Sequence, residues 1–157
     1  MKIVVMSIGK QHDVLFKEAI QTFTNRLNNY FNTEWCIIAP PKNAASLSIA
    51  DAKKIEATLI QQQLLKEDYV VLLDERGKQY SSPQLAQFIQ QRANESCKRL
   101  VFIIGGAYGV EEILFKQANV VQSLSQLVFP HMMVRLIVSE QLYRACTILR
   151  NEKYHHT

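Results

Sequence analysis

An α/β domain with a mainly parallel sheet flanked by helices is the fold class this sequence predicts, and three observations predict it. Short apolar runs of strand length alternate with stretches of helical period from one end of the chain to the other. The 157 residues, 48% hydrophobic and 20% charged, have the size and balance of one compact domain over residues 1–157. A glycine-rich turn, Gly105-Gly106-Ala107-Tyr108-Gly109, follows one apolar run and precedes a helical one. In a parallel sheet that is where backbone can approach a ligand.

Five strands are expected, at Ile3 to Ile8, Glu34 to Ala39, Tyr69 to Asp74, Leu100 to Ile104 and, more weakly patterned, Val120 to Leu124. Between the first two, Phe16, Ala19, Ile20, Phe23, Leu27 and Tyr30 recur at spacings of three and four, the stripe of a helix laid on a core. A second helix is expected to start at Ser48, whose hydroxyl can cap while Asp51 sits three residues on. A third is expected with Ser82 as its cap and Pro83 at the first helical position. Val110 to Ala118 reads as a short helix, and Met133 to Asn151 as a long one. The long helix is unusual: Val134, Leu136, Ile137, Val138, Leu142, Tyr143, Ala145, Cys146, Ile148 and Leu149 cover more than one face. Such a helix is either central to its own domain or shared with a second copy, and the surplus favours a dimer interface.

Cys36, Cys97 and Cys146 are odd in number, far apart and without C-x-x-C spacing, so neither a disulfide framework nor a metal site is indicated, and all three are expected to be reduced and mostly buried. The opening Met1-Lys2-Ile3-Val4-Val5-Met6-Ser7 meets polar residues too soon for a secretory or membrane-spanning segment, so a cytoplasmic location without membrane contact is expected. A formal charge of +4 permits a polyanionic partner without requiring one.

Three strand ends could carry chemistry: Asp74-Glu75-Arg76-Gly77-Lys78 after Leu73, the glycine turn, and Ser123 to His131. The first and third are expected to be loops at the carboxyl ends of their strands, where all three could converge on one crevice. The glycine turn does not fit a dinucleotide fingerprint, because Ile104 stands where the first glycine belongs and Val121 to Gln126 supplies no acid for a ribose. No phosphate-loop G-x-x-x-x-G-K-[ST] occurs. Asp74 and Glu75 could be a carboxylate pair, although adjacent residues in an extended chain point apart.

Leu73-Asp74 with Gly77-Lys78, Ile104-Gly105-Gly106 with Gly109, Ser123-Leu124-Ser125 leading to Phe129-Pro130-His131, then Arg135, Glu140-Gln141-Leu142-Tyr143-Arg144-Ala145 and Tyr154-His155-His156 together resemble the RlmH (YbeA) family. Its members are 23S rRNA (pseudouridine-N3)-methyltransferases of the SPOUT superfamily. The resemblance spans the whole chain and is most specific from Gly105 to His156. It implies a C-terminal trefoil knot, which no periodicity argument would produce. It also implies S-adenosylmethionine as methyl donor with no metal, a homodimer, and large-subunit rRNA within the ribosome as partner, without any protein cofactor. Carried over by position, cofactor contacts fall on Leu73, Gly105, Leu124, Ser125, Gln126, Leu127, Val128 and Phe129.

Methyl transfer from a sulfonium needs alignment more than acid catalysis, but a neutral pseudouridine carries a proton on N3 that must leave. His155 and His156 are the candidate bases, with Tyr154 preceding them and Arg144 as a catalytic companion. His131 either caps the following helix or lines the pocket. His131, Arg135 and Arg150 are the candidate substrate contacts, the two arginines through guanidinium and phosphate; solvated or salt-bridged helix faces are the alternative for the arginines. Arg135 and Arg144 are about 180° apart on a helix and so are expected to serve different places. Glu140 is better spaced to pair with Arg144 than with Arg135. A SPOUT enzyme with another RNA or protein target and a nonenzymatic ribosome-associated RNA-binding protein are the competing readings.

Overall fold

A computed structural model describes residues 1–156. Along the chain run β1 (Lys2–Ile8), α1 (Val14–Leu27), β2 (Asn32–Ile38), α2 (Ile49–Gln63), β3 (Asp68–Gln79), α3 (Ser82–Asn94), β4 (Arg99–Ile104), α4 (Glu112–Gln117), β5 (Val120–Ser123) and α5 (His131–Leu149). The strands form one sheet in the order β2-β1-β4-β3-β5, and every neighbouring pair is parallel. All carboxyl ends therefore lie along one edge.

Period-two alternation sends the apolar strand residues to two separate cores. Ile3, Val5, Val71, Leu100, Phe102 and Ile104 pack with Leu27 of α1, Leu85 and Ile89 of α3, and Val138, Leu142 and Cys146 of α5. Val4, Met6, Val70, Leu72, Val101 and Ile103 pack with Ala57 and Ile60 of α2 and Leu114 of α4. The near-continuous apolar strands are those of a sheet covered on both faces.

The apolar surface of α5 is used in part within one copy. α5 packs against both α1 and α3 as well as the sheet, so several of its faces are used within one copy. Val138, Leu142, Ala145 and Cys146 are buried in this way, whereas Val134, Leu136, Ile137, Tyr143, Ile148 and Leu149 stay half-buried, so the central position accounts for only part of that surface.

Several boundaries shift by one or two residues, α5 for instance running from His131 to Leu149 and not from Met133 to Asn151, and two differences have a clear physical reason. β3 does not end at Asp74: after an irregularity between Leu73 and Lys78, Lys78 and Gln79 pair again with Gln122 and Ser123. Polar residues continue the strand because β5 supplies the ladder. Gly77 is needed there, since a Cβ would come within 2.6 Å of the Val121 and Gln122 backbone. The α3 cap is Ser81, not Ser82. Ser81 Oγ accepts from Gln84 N at 3.3 Å while Gln84 Oε1 accepts from Ser81 N at 2.8 Å, and this reciprocal capping box places the helix start one residue earlier, with Pro83 in its first turn. The α2 cap is as expected, with Ser48 Oγ accepting from Asp51 N at 3.1 Å. The cysteines are free, but only Cys146 is buried; Cys36 and Cys97 are half-buried.

Candidate active site

The irregular middle of β3 after Leu73 and the carboxyl ends of β4 and β5 border a cavity of about 680 Å³, within the range of small-molecule sites. Leu73, Gly105, Leu124, Ser125, Leu127, Val128, Phe129 and His131 border it, so three separate stretches of sequence meet as expected. Gln126 is the one member of the expected cofactor set that does not border it. Ile104, Val110, Val134 and Tyr108 complete the apolar wall. Lys53 of α2 also reaches the rim, and no local pattern in the sequence could have found it.

The glycine turn owes much of its composition to packing. A Cβ on Gly105 would lie 2.3 Å from Val110 Cγ1, and one on Gly106 would lie 2.4 Å from Glu56 Oε2. Gly109 alone has a positive φ, +85°, with open space where its side chain would be. In the loop after β5, Ser123 Oγ donates to Ser125 O at 2.9 Å and Ser125 Oγ accepts from Leu127 N at 3.0 Å. These bonds hold the turn while Leu127 and Val128 remain exposed at the rim.

Asp74 and Glu75 both border the cavity, yet Asp74 is committed to Arg76. Arg76 Nε and N donate to Asp74 Oδ1 at 2.8 and 3.0 Å. Burial pushes the Asp74 carboxyl up, but the Arg76 bonds and the charges of Arg76 and Lys53 outweigh it and hold it below the usual range. This is an ion-paired carboxylate, not one of a proton-sharing pair.

His131 resolves to the second of its alternatives: Pro130 is the N-cap of α5, no side chain caps that helix, and His131 borders the cavity. Its Nδ1 is buried without a hydrogen-bond partner. Burial first, and then the Arg135 charge, lowers the His131 pKa below 6.5. His12 is lowered likewise by burial, Arg135 and Lys17. Both imidazoles therefore bind a proton less readily folded than unfolded, so their contribution to stability is complete above pH 6.5 and is lost as pH falls below it. The thermal midpoint is expected to fall from pH 7 toward pH 5.5, and a His12→Asn, His131→Asn double variant should flatten that slope. An unchanged slope in calorimetry would show that neither ring is held neutral.

Arg135 corrects an expectation. A substrate contact needs an accessible guanidinium, but Arg135 is 1% exposed, the largest fully buried side chain, and does not border the cavity. Its Nε donates to Ser7 Oγ at 3.0 Å and its Nη1 to Lys10 O at 2.9 Å.

The C-terminal candidates gather elsewhere. Arg144 Nε donates to Glu140 Oε1 at 2.9 Å, the pairing favoured by helical spacing. Its guanidinium lies 4.7 Å from the Tyr154 ring centre and its Nη1 is 3.5 Å from His155 Nδ1. Tyr154 donates to Glu140 Oε1 at 3.0 Å and packs on Tyr143 at 4.8 Å. The chain turns back after α5 through Asn151 at φ +54°, with Glu152 N donating to Thr147 O and Asn151 N to Ile148 O, a Schellman ending. Tyr30 of the α1–β2 turn donates to Glu152 Oε2 at 2.6 Å and tethers it. Tyr154 and His155 are half-buried on this cluster, whereas His156 and Arg150 are exposed, Arg150 lying over Tyr30. A helix advances about 20 Å from His131 to Arg144. The tail cluster, seated on Glu140 at the middle of α5 and on Arg144 one turn on, thus stands about 14–20 Å along the helix from His131, and Arg144, Tyr154, His155 and His156 do not border the cavity in one copy.

Comparison with known proteins agrees with this architecture. The family model described as "Predicted SPOUT methyltransferase" matches residues 1–155. The "Ribosomal RNA large subunit methyltransferase H" of Parabacteroides distasonis is 46% identical over 156 residues, covering 99% of both chains. The protein of the same name from Cytophaga hutchinsonii is 44% identical, covering 99% of this chain and 100% of its own. Among solved structures, a probable methyltransferase from Bordetella pertussis shares the fold with a TM-score of 0.55 at 9% identity, over 92% of this chain and 93% of that one. A full-length match to the family model, relatives alike from end to end, and a cavity along the carboxyl edge of a parallel sheet lead to one assignment: the chain belongs to the SPOUT methyltransferase family.

Proposed function

We propose that this protein methylates N3 of a pseudouridine in large-subunit ribosomal RNA, using S-adenosylmethionine and acting as a homodimer in the cytoplasm. The observation that carries the reading is the cavity: it is assembled from the strand-end segments that the family resemblance assigns to the cofactor, in a chain whose relatives at 46% and 44% identity are named for large-subunit rRNA methylation. No helix among the described residues is long and apolar enough to cross a membrane.

The donor set suits the cofactor. Leu73, Leu124, Leu127, Val128 and Phe129 offer apolar faces for an adenine, while the backbone of Gly105, Leu124, Ser125 and residues 127–129 offers amides and carbonyls for its edge and the ribose. S-adenosylmethionine, when bound, supplies a methyl group on a sulfonium. The remaining work belongs to the chain's own side chains. His155 or His156 takes the proton from N3, Arg144 balances the negative charge this leaves on the base, Tyr154 orients it, and His131 and Arg150 contact the RNA. The separation along α5 supports a shared site, in which the tail of one copy serves the cavity of the other. The same reading includes one domain over residues 1–157 and a trefoil knot in its C-terminal part.

The test is transfer of labelled methyl from S-adenosylmethionine to ribosomes lacking the modification, comparing intact protein with a chain ending before Tyr154. Label on pseudouridine N3, lost on truncation, is the expected result. Cofactor binding without label on ribosomes or free large-subunit RNA would keep the family and overturn the substrate.

A further inference from the structure

Arg135 is a buried cation that no carboxylate neutralises among the described residues. Its partners are neutral: Ser7 Oγ, Lys10 O, and His12 Nδ1 at 3.3 Å, with Met132 Sδ 3.8 Å away. Burying a charge on such terms is costly for folding alone, and an apolar side chain of similar volume would avoid that cost.

The partners divide into two groups. Lys10 and His12 belong to the loop between β1 and α1, which leaves the same sheet edge as the cavity. Met132, on the α5 side, also receives the Asp13 N–H at 3.4 Å. Arg135 itself is one turn from His131 and adjacent to Val134, and both of these border the cavity. The loop is shaped to this guanidinium. Gly9 has φ +139°, and a Cβ there would lie 3.1 Å from Arg135 Nη2. Gly9 N donates to Ile38 O at 2.9 Å, and His12 packs edge-on against Trp35 at 4.8 Å, so β2 supports the loop from its other side.

We infer that Arg135 is a positioning residue for methyl transfer, its guanidinium latching the Gly9–Asp13 loop to the first turn of α5 and thereby fixing the wall of the cavity that carries His131 and Val134. A planar fork that reaches a hydroxyl and a carbonyl in different directions can do this; an ammonium cannot reproduce it. The inference rests on the cavity being the cofactor site, and the test separates the two.

Arg135→Met and Arg135→Lys are compared with the full-length wild-type chain by hydrogen exchange, by calorimetric binding of S-adenosylhomocysteine, and by single-turnover transfer to ribosomes. In Arg135→Met the bonded amides at the two ends of the loop, Gly9 and Asp13, should exchange at least about tenfold faster and S-adenosylhomocysteine should bind about tenfold more weakly. The rate at saturating cofactor should fall about 100-fold, the scale of a small misplacement, with the KM for ribosomes within about threefold. Arg135→Lys should not restore it. If either variant fails to fold, Gly9→Ala, which pushes on the guanidinium from the loop side, should shift exchange and affinity in the same directions. Affinity and saturated rate within twofold of wild type would overturn the latch. If the wild-type chain binds S-adenosylhomocysteine but labels no ribosome, the substrate assignment falls while exchange and affinity still decide the latch. If the wild-type chain does not bind it at all, the cavity assignment and the latch fall together.

Discussion

Two inactive variants, one damaged in the cavity and one lacking the tail, are expected to restore activity to each other when expressed together. Ser125→Trp would fill the cavity where the Ser125 hydroxyl now holds the turn to Leu127. A chain ending before Tyr154 would remove the ring that joins Glu140 and Arg144. Each alone should lose at least about 100-fold in rate, the scale of removing positioned catalytic groups. Random pairing gives half mixed dimers, each with one cavity and one tail intact in the same composite site, so about a quarter of all sites should work. A site built within one copy gives none, because no chain in the mixture carries both parts. Restoration near a quarter therefore supports exchange of tails between copies, and a mixture as inactive as its components excludes it.

The second large effect is expected at Arg144. Its guanidinium is bonded to Glu140, stacked on Tyr154 and next to His155. The hydrogen bond to Glu140 is the first cause that raises its pKa, and the side chain keeps its charge throughout the working range. If Arg144 balances charge on the target base after N3 loses its proton, Arg144→Gln should lower kcat by about 10²–10³-fold, about 3–4 kcal/mol of transition-state stabilisation. KM for ribosomes should change little. Stability should change by less than about 1 kcal/mol, because the Arg144 and Glu140 side chains keep 26% and 18% of their exposure and such pairs contribute little. The opposite split, a raised KM with kcat intact, would make Arg144 a phosphate anchor instead.

Much of the fold was legible because strand and helix periods are local properties. Five apolar runs became five strands, Ser48 capped α2 as its spacing with Asp51 required, and the glycine turn fell between β4 and α4. The cavity segments were legible for a different reason. In a parallel sheet all carboxyl ends share one edge, so segments distant in sequence must meet there once the strand order allows it. Glu140 paired with Arg144 because i and i+4 are neighbours on any helix.

What the chain's own pattern determined is thus the element order, the two-sided apolar sheet and the candidate segments of the site. Tertiary structure decided what depends on a neighbour from elsewhere in the chain. Polar residues 74–79 remained in a strand because β5 offered a ladder, and Val138, Leu142, Ala145 and Cys146 of α5 were buried because the sheet, α1 and α3 surround them. Arg135, which reads as a surface cation, was buried because Ser7 and the Lys10 carbonyl stand where its guanidinium ends. The distance between the cavity and the tail also depends on the fold: His131 at the start of α5 borders the cavity, the tail folds back only as far as Glu140, and a rigid helix holds those two positions about 14 Å apart within a single copy.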